Sequence, residues 1–469
     1  MLQTIESINN VVNNFIWGVP AMICIIGVGL YLSLRTGFVQ IRKFPYALKT
    51  TLGRIFKKKE ASDGSMTPFQ AVCTALAGTV GTGNIAGVAG AIAIGGPGAV
   101  FWMWVSALLG MCTKFTEVTL AVHFRERNRH GDYVGGPMYY IKNGLGKNWR
   151  FLAVLYSAFG VLTVFGTGNA TQVNTITTAI DTALINFNVI SESSTGRLNL
   201  ILGIVITLLV GMVLLGGIKR IGSVSEKLVP FMALFYIVLA LGVVILNIGR
   251  VPAVFHDIVY GAFNPSAVTG GVVGTMIVSM QKGVARGIFS NEAGLGSAPI
   301  AAAAAQTKEP VRQGLVSMTG TFIDTIVICT MTGLSIVLTG AWQVEGLEGV
   351  QVTTYAFQHG LPIPGQISAF VLMICLVFFA FTTILGWDYY SERCLEYLTN
   401  GHKKTILTYR WLYILAVFIG PYMTVSAVWT IADIFNGLMA IPNMIALFAL
   451  SGVIVKETKA FFAAEKHKM

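Results

Sequence analysis

Charged residues are scarce in this sequence: Asp, Glu, Lys and Arg make up only 11% of its 469 residues, whereas 54% of the residues are hydrophobic. Soluble domains carry about 25% charged residues, so this chain lacks the polar surface that water requires. The mean hydropathy of +0.70 indicates an integral membrane protein, in which apolar runs of about 20 residues cross the hydrocarbon core. We therefore expect a lipid bilayer around most of the chain, and no separate soluble domain that would bind nucleic acid.

The sequence also lacks the motifs of metal, redox and nucleotide chemistry. Its six cysteines form no C-x-x-C pair and no Cys/His cluster with zinc spacing, so we expect buried thiols and neither disulfides nor a structural metal. A G-x-x-x-x-G-K-[ST] loop is missing as well, which argues against a nucleotide as the energy source. No nucleophile is paired with a base, so an enzyme is not expected.

A basic leader is missing at the start of the chain. The segment before the first apolar run carries Glu6 and no Lys or Arg, unlike the positively charged start of a cleaved signal peptide. The first apolar run is therefore predicted to stay as a membrane anchor.

Long apolar runs fill the rest of the chain and predict an all-α integral membrane protein with 11 transmembrane helices. Several runs exceed the length that a bilayer requires, so tilting or interruption is expected. The predicted spans are 15–34, 66–95, 98–123, 151–180, 198–216, 226–247, 266–303, 310–339, 365–391, 405–424 and 426–455.

The basic residues predict the orientation of these spans in the cell membrane. Nearly all Lys and Arg lie in the loops that follow the odd-numbered spans, whereas the opposite loops carry only Arg197 and Arg250. The predicted basic loops are 35–65, 124–150, 217–227, 304–312 and 392–410. Because basic loops stay in the cytoplasm, the N-terminus is predicted outside and the C-terminus inside. The net charge of +11 then indicates a basic surface that faces anionic lipid.

The ten spans after the first divide into two sets of five, one starting at residue 66 and the other near residue 266. Because five is odd, the second set enters the membrane from the opposite side, so the two sets are predicted to be inverted repeats. The predicted division of the chain is residues 1–65 for the first helix and a basic loop, 66–250 and 251–456 for the two repeats, and 457–469 for a cytoplasmic tail.

The first span of each set contains a glycine-rich, polar interruption, "GTVGTGN" at 78–84 and "SNEAGLGS" at 290–297. The third span of each set carries a polar cluster, "GTGNATQVN" at 166–174 and "FTTILGWDYY" at 381–390, at nearly the same distance from the interruption. Corresponding interruptions of this kind predict a transporter site built from two discontinuous helices. The freed backbone groups cost several kcal/mol each unless a cavity or ligand satisfies them. The start of a half-helix favours an anionic group, and carbonyl and hydroxyl oxygens suit a small cation.

The first interruption also matches two other sequence patterns. "GTGNIAG" at 81–87 loosely matches the dinucleotide-binding G-x-G-x-x-G, but the strand before it and the acidic residue after it are missing. Gly83 and Gly87 also form a G-x-x-x-G that allows close helix packing. Packing alone does not explain why both halves carry matched interruptions.

Four blocks of sequence resemble the sodium:alanine symporter family, which is also known as the alanine or glycine:cation symporters. They are "GGPGAVFWMWVSALLG" (95–110), "RGIFSNEAGLGSAP" (286–299), "GTFIDTIVICT" (320–330) and "GWDYYSE" (386–392). The resemblance implies a leucine-transporter-like fold and the symport of Na⁺ with alanine, glycine or a similarly small neutral amino acid by alternating access.

The resemblance also implies a role for individual residues. The Na⁺ ligands would be the carbonyls of Ala77, Val80 and Phe379 and the hydroxyls of Thr382 and Thr383. The substrate would contact Asn84, Gln172, Thr383, Trp387 and the backbone near Gly83 and Gly294. For Trp387, a place in the aromatic belt at the membrane surface is the alternative.

Ionisable residues inside the spans are costly and therefore candidates for function. Lys114 and Glu117 are predicted to form an ion pair, since they are three positions apart on one helix. Arg286 and Glu292 are predicted to form gating or bracing pairs, with direct contact to the substrate as the alternative. Asp324 is either a proton or cation carrier or a hydrogen-bonded structural carboxylate.

Two rival functions follow from these observations. An H⁺-coupled symporter would carry its proton on Glu292, Asp324 or Glu117. A channel would need a continuous polar pore, whereas the polar clusters are confined to the middle of four spans.

Two smaller patterns predict local structure. Thr67, Pro68 and Gln70 form the pattern of an N-terminal capping box, which would start the first interrupted helix. The segment 340–364 is expected to contain a short helix that covers the outer entrance.

Overall fold

A computed structural model describes residues 17–56, 67–270 and 275–466. Glu6, the first residues of the predicted span 15–34, the end of the predicted loop 35–65, residues 271–274 of the predicted span 266–303 and the last three residues of the predicted tail lie outside this part of the chain. Within it the fold is almost entirely helical. Its sheet is a two-residue antiparallel hairpin formed by β1 (Glu126–Arg127) and β2 (Tyr133–Val134).

The helices up to residue 246 are α1 (Val19–Arg35), α2 (Val39–Arg42), α3 (Phe44–Phe56), α4 (Pro68–Thr79), α5 (Ala86–Gly95), α6 (Gly98–His123), α7 (Pro137–Tyr140), α8 (Arg150–Thr163), α9 (Thr171–Asn186), α10 (Thr195–Leu214) and α11 (Gly217–Leu246). A wider π-helical segment, Val164–Ala170, joins α8 to α9.

The helices that follow are α12 (Val251–Phe263), α13 (Pro265–Val268), α14 (Met276–Asn291), α15 (Ala298–Ala303), α16 (Pro310–Thr321), α17 (Thr330–Thr339), α18 (Val350–Gly360), α19 (Gly365–Thr399), α20 (Lys403–Val417), α21 (Val425–Ala449) and α22 (Ser451–Lys466). The π-helical segment Phe322–Cys329 joins α16 to α17.

Seven helical segments of the described chain are long and apolar enough to cross a bilayer, and the bent pair α4–α5 makes an eighth. This confirms an all-α, multi-pass membrane protein. In α6, 83% of an apolar 18-residue stretch is buried inside the protein, compared with 28% in the segment that contains α10 and 33% in α11. α6 therefore lies in the middle of the bundle, while α10 and α11 present large apolar side chains to the surrounding lipid.

The helices around α6 position the interrupted segments. α6 packs against α1, α14 and α16, and α19 packs against α4, α8 and α9. The two interrupted helices are thus held between the two most extensively packed helices of the bundle.

The start of α4 confirms the predicted capping box. The Thr67 hydroxyl accepts a hydrogen bond from the Gln70 backbone N–H, and the Gln70 side chain accepts one from the Thr67 N–H, both at 3.1 Å. The predicted helix within 340–364 is also confirmed, as α18.

Several segments outside the predicted spans are helical, which the sequence pattern did not predict. The predicted loop 35–65 contains α3, the predicted loop 217–227 is the first part of α11, and the predicted tail is helical up to Lys466. α3 packs on α16, and α12, which follows Arg250, packs on α6. α3 and α12 are short helices, and each packs against a helix that is distant in the sequence. Five of the six cysteines are buried as predicted, but Cys24 is exposed.

Candidate substrate and cation site

The first interruption lies where the sequence predicts it. α4 ends at Thr79, Val80 and Gly81 have extended backbone, and a single 3₁₀ turn, Thr82–Asn84, leads into α5. The helix axis bends by 57° between the two halves. The prediction of a discontinuous helix at 78–84 is confirmed.

Side chains from the protein satisfy the backbone N–H groups that the interruption frees. The N–H of Gly81 donates to Asn84 Oδ1 at 2.9 Å, and the N–H of Thr82 donates to Gln172 Oε1 at 3.3 Å. In a continuous helix these groups would donate to the carbonyls four residues earlier. The carbonyls of Ala77 and Gly78 therefore lose their helical donors.

Two carbonyl groups at the unwound end of α4, those of Ala77 and Val80, point to one hydroxyl group of α19. Thr383 Oγ1 lies 2.9 Å from Ala77 O, 3.4 Å from Val80 O and 2.9 Å from Phe379 O. Thr382 Oγ1 lies 3.0 Å from the same Phe379 oxygen. A hydroxyl carries one proton, so Thr383 cannot donate to three carbonyls at once. The five residues predicted to bind a cation thus form one cluster with more oxygen acceptors than protons, as hard cations prefer.

Glycine is required at the interruption because other chain segments come too close for a side chain. A Cβ atom on Gly81 would overlap Thr383 Oγ1. A Cβ atom on Gly83 would lie 2.9 Å from the Phe289 ring and 3.2 Å from the Ser290 backbone. These contacts bring α19 and α14 against the unwound segment, which explains its glycines by close approach at the site itself.

Gln172 and Trp387 border the same region. The Gln172 amide donates to Thr167 O at 2.9 Å, within the π-helical segment that joins α8 to α9. Trp387 is only 1% exposed and packs against Gly168 of that segment. This burial rules out a place in an aromatic belt at the membrane surface.

Asp324 connects the two interrupted helices. Its Oδ1 accepts from the Asn84 amide at 2.7 Å, and its Oδ2 accepts from the Ser290 hydroxyl at 2.8 Å and the Thr325 hydroxyl at 2.7 Å. These bonds favour the structural carboxylate among the two roles considered for Asp324. Both polar atoms of the Asn84 side chain are engaged by Asp324 and Gly81, so the side chain predicted to hold a substrate carboxylate is already occupied in this structure.

The second interruption, predicted at 290–297, is also present. α14 ends at Asn291, and Glu292, Gly294 and Gly296 all have left-handed backbone, with φ of 55°, 96° and 74°. Glycine adopts such angles at little cost. The chain becomes helical again at Ala298. The prediction of a second discontinuous helix is confirmed.

A buried glutamate holds the second interruption. Glu117 Oε1 accepts from the N–H of Gly294 at 3.0 Å, from the N–H of Gly296 at 3.1 Å and from the Asn443 amide at 2.7 Å. Asn443 also donates to Gly294 O at 2.8 Å. The Gly294 N–H that was predicted to hold a substrate carboxylate thus binds a carboxylate of the protein. An acidic residue within the apolar run of α6 indicates a functional or structural role for Glu117, but no local sequence pattern indicates Asn443 as its partner.

The predicted ion pair between Lys114 and Glu117 is wrong. The buried Lys114 ammonium has neither a carboxylate within 4.0 Å nor a hydrogen bond in the described chain, although Glu117 lies on the same helix. Glu117 instead binds the second interruption. Arg286 pairs with Asp433 of α21, at 2.6 and 3.0 Å, rather than with Glu292. Its guanidinium lies 4.5 Å from the Trp429 ring centre, whereas Glu292 accepts from Ser297 at 2.6 Å.

A multi-pass helical bundle with two interrupted helices, whose unwound segments meet buried hydroxyls and amides, has the architecture of a membrane transporter. Comparison with known proteins specifies the class further. The sequence profile described as "Sodium:alanine symporter family" matches residues 2–469, so this chain belongs to that family. It is a cation-coupled amino-acid symporter and not an enzyme.

Relatives align over nearly their full length. An "Uncharacterized transporter" of Haemophilus influenzae is 53% identical, covering 98% of this chain and 97% of its own. The "Sodium/alanine symporter AgcS" of Methanococcus maripaludis is 46% identical, covering 98% of both chains. The "Probable sodium/glutamine symporter GlnT" of Bacillus subtilis is 37% identical, covering 99% of this chain and 92% of its own.

Proposed function

We propose that this protein couples the inward movement of Na⁺ to the uptake of alanine or glycine. The observation that carries this proposal is the oxygen cluster around Thr383, where carbonyls released by the first interruption meet a carbonyl and two hydroxyls of α19. A cation placed there would draw α4 and α19 together. Since those helices belong to different halves of the chain, the cation would stabilise one arrangement of the bundle over another.

The substrate would bind next to this cluster. Backbone N–H groups near Gly83, in the 3₁₀ turn, would bind the carboxylate. Those of Gly81 and Thr82 would join them only if the substrate displaced their present acceptors, Asn84 and Gln172. Asn84 would contribute once the substrate replaces its present bonds, and Gln172 would receive the ammonium on its carbonyl oxygen. Trp387 limits the volume beside Gly168, so a side chain of methyl size fits best. A role for Gly294 would require displacement of Glu117.

We also propose the eleven-span, inverted-repeat architecture. Adding α1, the α14–α15 pair and α20 to the eight segments above gives eleven crossings. The interrupted pairs α4–α5 and α14–α15 are the first membrane spans of the repeats 66–250 and 251–456. The basic loops then face the cytoplasm, together with the C-terminus, and the N-terminus lies outside. This arrangement provides two similar halves that rock around the central site.

H⁺ coupling is the second candidate, because each of three buried carboxyl groups lies in an interruption or bonds to an interrupted helix. Glu117 binds the second interruption, Glu292 lies within it, and Asp324 bonds to both interrupted helices. A proton on any of them would change the bonds that hold an unwound segment.

Uptake of labelled alanine into proteoliposomes tests the proposal. We expect an inward Na⁺ gradient to drive accumulation, and replacement of Na⁺ by K⁺ or choline at constant membrane potential to abolish it. Uptake that follows the pH gradient and ignores Na⁺ would support H⁺ coupling instead. Competition by glycine, serine and glutamine would rank the substrates, and strong inhibition by glutamine alone would contradict the small pocket.

A further inference from the structure

A cavity outside the transport site lies where the β1–β2 hairpin, the start of α8 and the end of α19 meet. Its volume is about 510 Å³. Four basic side chains contribute to its wall, together with two carboxylates and several neutral residues. The basic residues are Arg127, Arg129, Lys142 and Arg150, and the carboxylates are Glu126 and Glu396.

Both carboxylates of this cavity already have basic partners. Lys142 Nζ lies 2.9 Å from Glu126 Oε1, and Arg393, which is outside the lining, lies 2.6 Å from Glu396 Oε2. In the described chain, neither Arg129 nor Arg150 has a carboxylate within 4.0 Å. The cavity therefore holds surplus positive charge that the protein does not neutralise.

The hairpin that carries Arg129 is fixed over the cavity. The side-chain oxygen Oδ1 of Asn128 accepts hydrogen bonds from the backbone N–H groups of His130 and Asp132, both at 2.9 Å, which closes the turn. The Asn128 amide donates to Glu396 Oε1 at 2.9 Å, which ties the turn to the end of α19. Arg129 is thus presented from an ordered turn, and Arg150, the first residue of α8, lines the same cavity.

The open side of the cavity continues into an apolar surface. Val154 lines the cavity and is 48% exposed, and its neighbours Phe151 and Leu155 on α8 are 57% and 42% exposed. α8 is part of the helical segment Lys147–Asn186, which is long and apolar enough to cross a membrane. This face of α8 therefore meets acyl chains, directly beside a basic cavity.

We propose that this cavity binds the headgroup of an anionic phospholipid. The phosphate lies between the guanidinium groups of Arg129 and Arg150, which suit two-point hydrogen bonding to phosphate oxygens. One acyl chain lies along Phe151, Val154 and Leu155. Basic pockets between membrane helices on the cytoplasmic side recognise such lipids, and the loop 124–150 belongs to the basic side of this protein. The lipid would fasten the hairpin to α8 and α19.

Phosphatidylglycerol and phosphatidylcholine binding to the purified full-length protein would be compared by native mass spectrometry and by thermal unfolding. We expect the wild type to retain phosphatidylglycerol preferentially and to unfold at a higher temperature in its presence. The double variant Arg129→Gln/Arg150→Gln should bind it about thirtyfold more weakly, or about fivefold for each arginine. The matched control is Lys219→Gln/Arg220→Gln, which removes two exposed charges elsewhere and should bind like the wild type.

Three results would overturn the proposal. They are the lack of a preference for phosphatidylglycerol, an equal loss of binding in both double variants, and stabilisation by inorganic phosphate alone as large as that by the lipid. The last result would assign the cavity to a soluble anion. The unfolding temperature without lipid shows whether each variant is folded, and neither variant alters a residue of the transport site.

Discussion

Replacing Thr383 with valine removes one hydroxyl group at nearly constant volume and tests the oxygen cluster directly. The hydroxyl lies within 3.4 Å of three carbonyl oxygens, two from α4 and its unwound end and one from α19. Valine places a methyl group in their midst. The carbonyls keep their positions, but a cation at the cluster loses one ligand.

The size of the effect follows from the chemistry of one lost contact. A hydrogen-bonding or ligating interaction with a charged group contributes about 1.5–3 kcal/mol, which corresponds to a factor of roughly 10 to 150 in affinity. We therefore expect the Na⁺ concentration for half-maximal alanine uptake to rise by that factor. The unpaired carbonyls also lower the stability of the fold by about 1–3 kcal/mol.

The assay is alanine uptake into proteoliposomes over a range of Na⁺ concentrations, with unfolding temperatures measured in parallel. Thr383→Ser is the matched control, since it keeps the hydroxyl and should keep the Na⁺ dependence of the wild type. A folded Thr383→Val variant with unchanged Na⁺ dependence would refute the assignment of the cluster to Na⁺.

Three further predictions concern the helices around the site. Gly81→Ala should abolish transport because the added methyl group overlaps the Thr383 hydroxyl, whereas Gly90→Ala, with no atom within 4 Å of the added carbon, should transport normally in the same uptake assay. Arg286→Lys keeps the charge but loses the two-point ion pair, and should lower the maximal uptake rate with little change in unfolding temperature; an unchanged rate would contradict a gating role. Glu117→Ala should lower the unfolding temperature strongly, because three buried donors lose their acceptor at about 1–3 kcal/mol each, whereas the Gln variant keeps an acceptor and should be milder; equal unfolding temperatures would contradict this role.

The sequence predicts those parts of the fold that depend on local patterns. Long apolar runs locate the spans, and the Thr67 capping box starts α4 where it was expected. Clustered glycines mark both interruptions, because glycine tolerates left-handed angles and close approach. The wider π-helical segments Val164–Ala170 and Phe322–Cys329 were not expected, although both border the site.

The partners across the bundle could not be predicted in the same way. Arg286 pairs with a carboxylate 147 positions away, and Glu117 binds backbone groups 177 and 179 positions away. Nothing in the local sequence distinguishes these partners from nearer residues of suitable charge, such as Glu292 or Lys114. The helix packing decides which groups meet, and burial then requires each polar group to find a partner among those within reach.

Binding of labelled alanine to the purified protein, measured as a function of Na⁺ concentration, tests the central claim most directly. Because coupled ligands strengthen each other's binding reciprocally, Na⁺ should lower the alanine Kd of the wild type about tenfold or more, while K⁺ should have no effect. In Thr382→Ala/Thr383→Ala this dependence on Na⁺ should disappear. A folded double variant in which Na⁺ still strengthens alanine binding as it does in the wild type would contradict the claim that the first interruption and α19 together form the Na⁺ site.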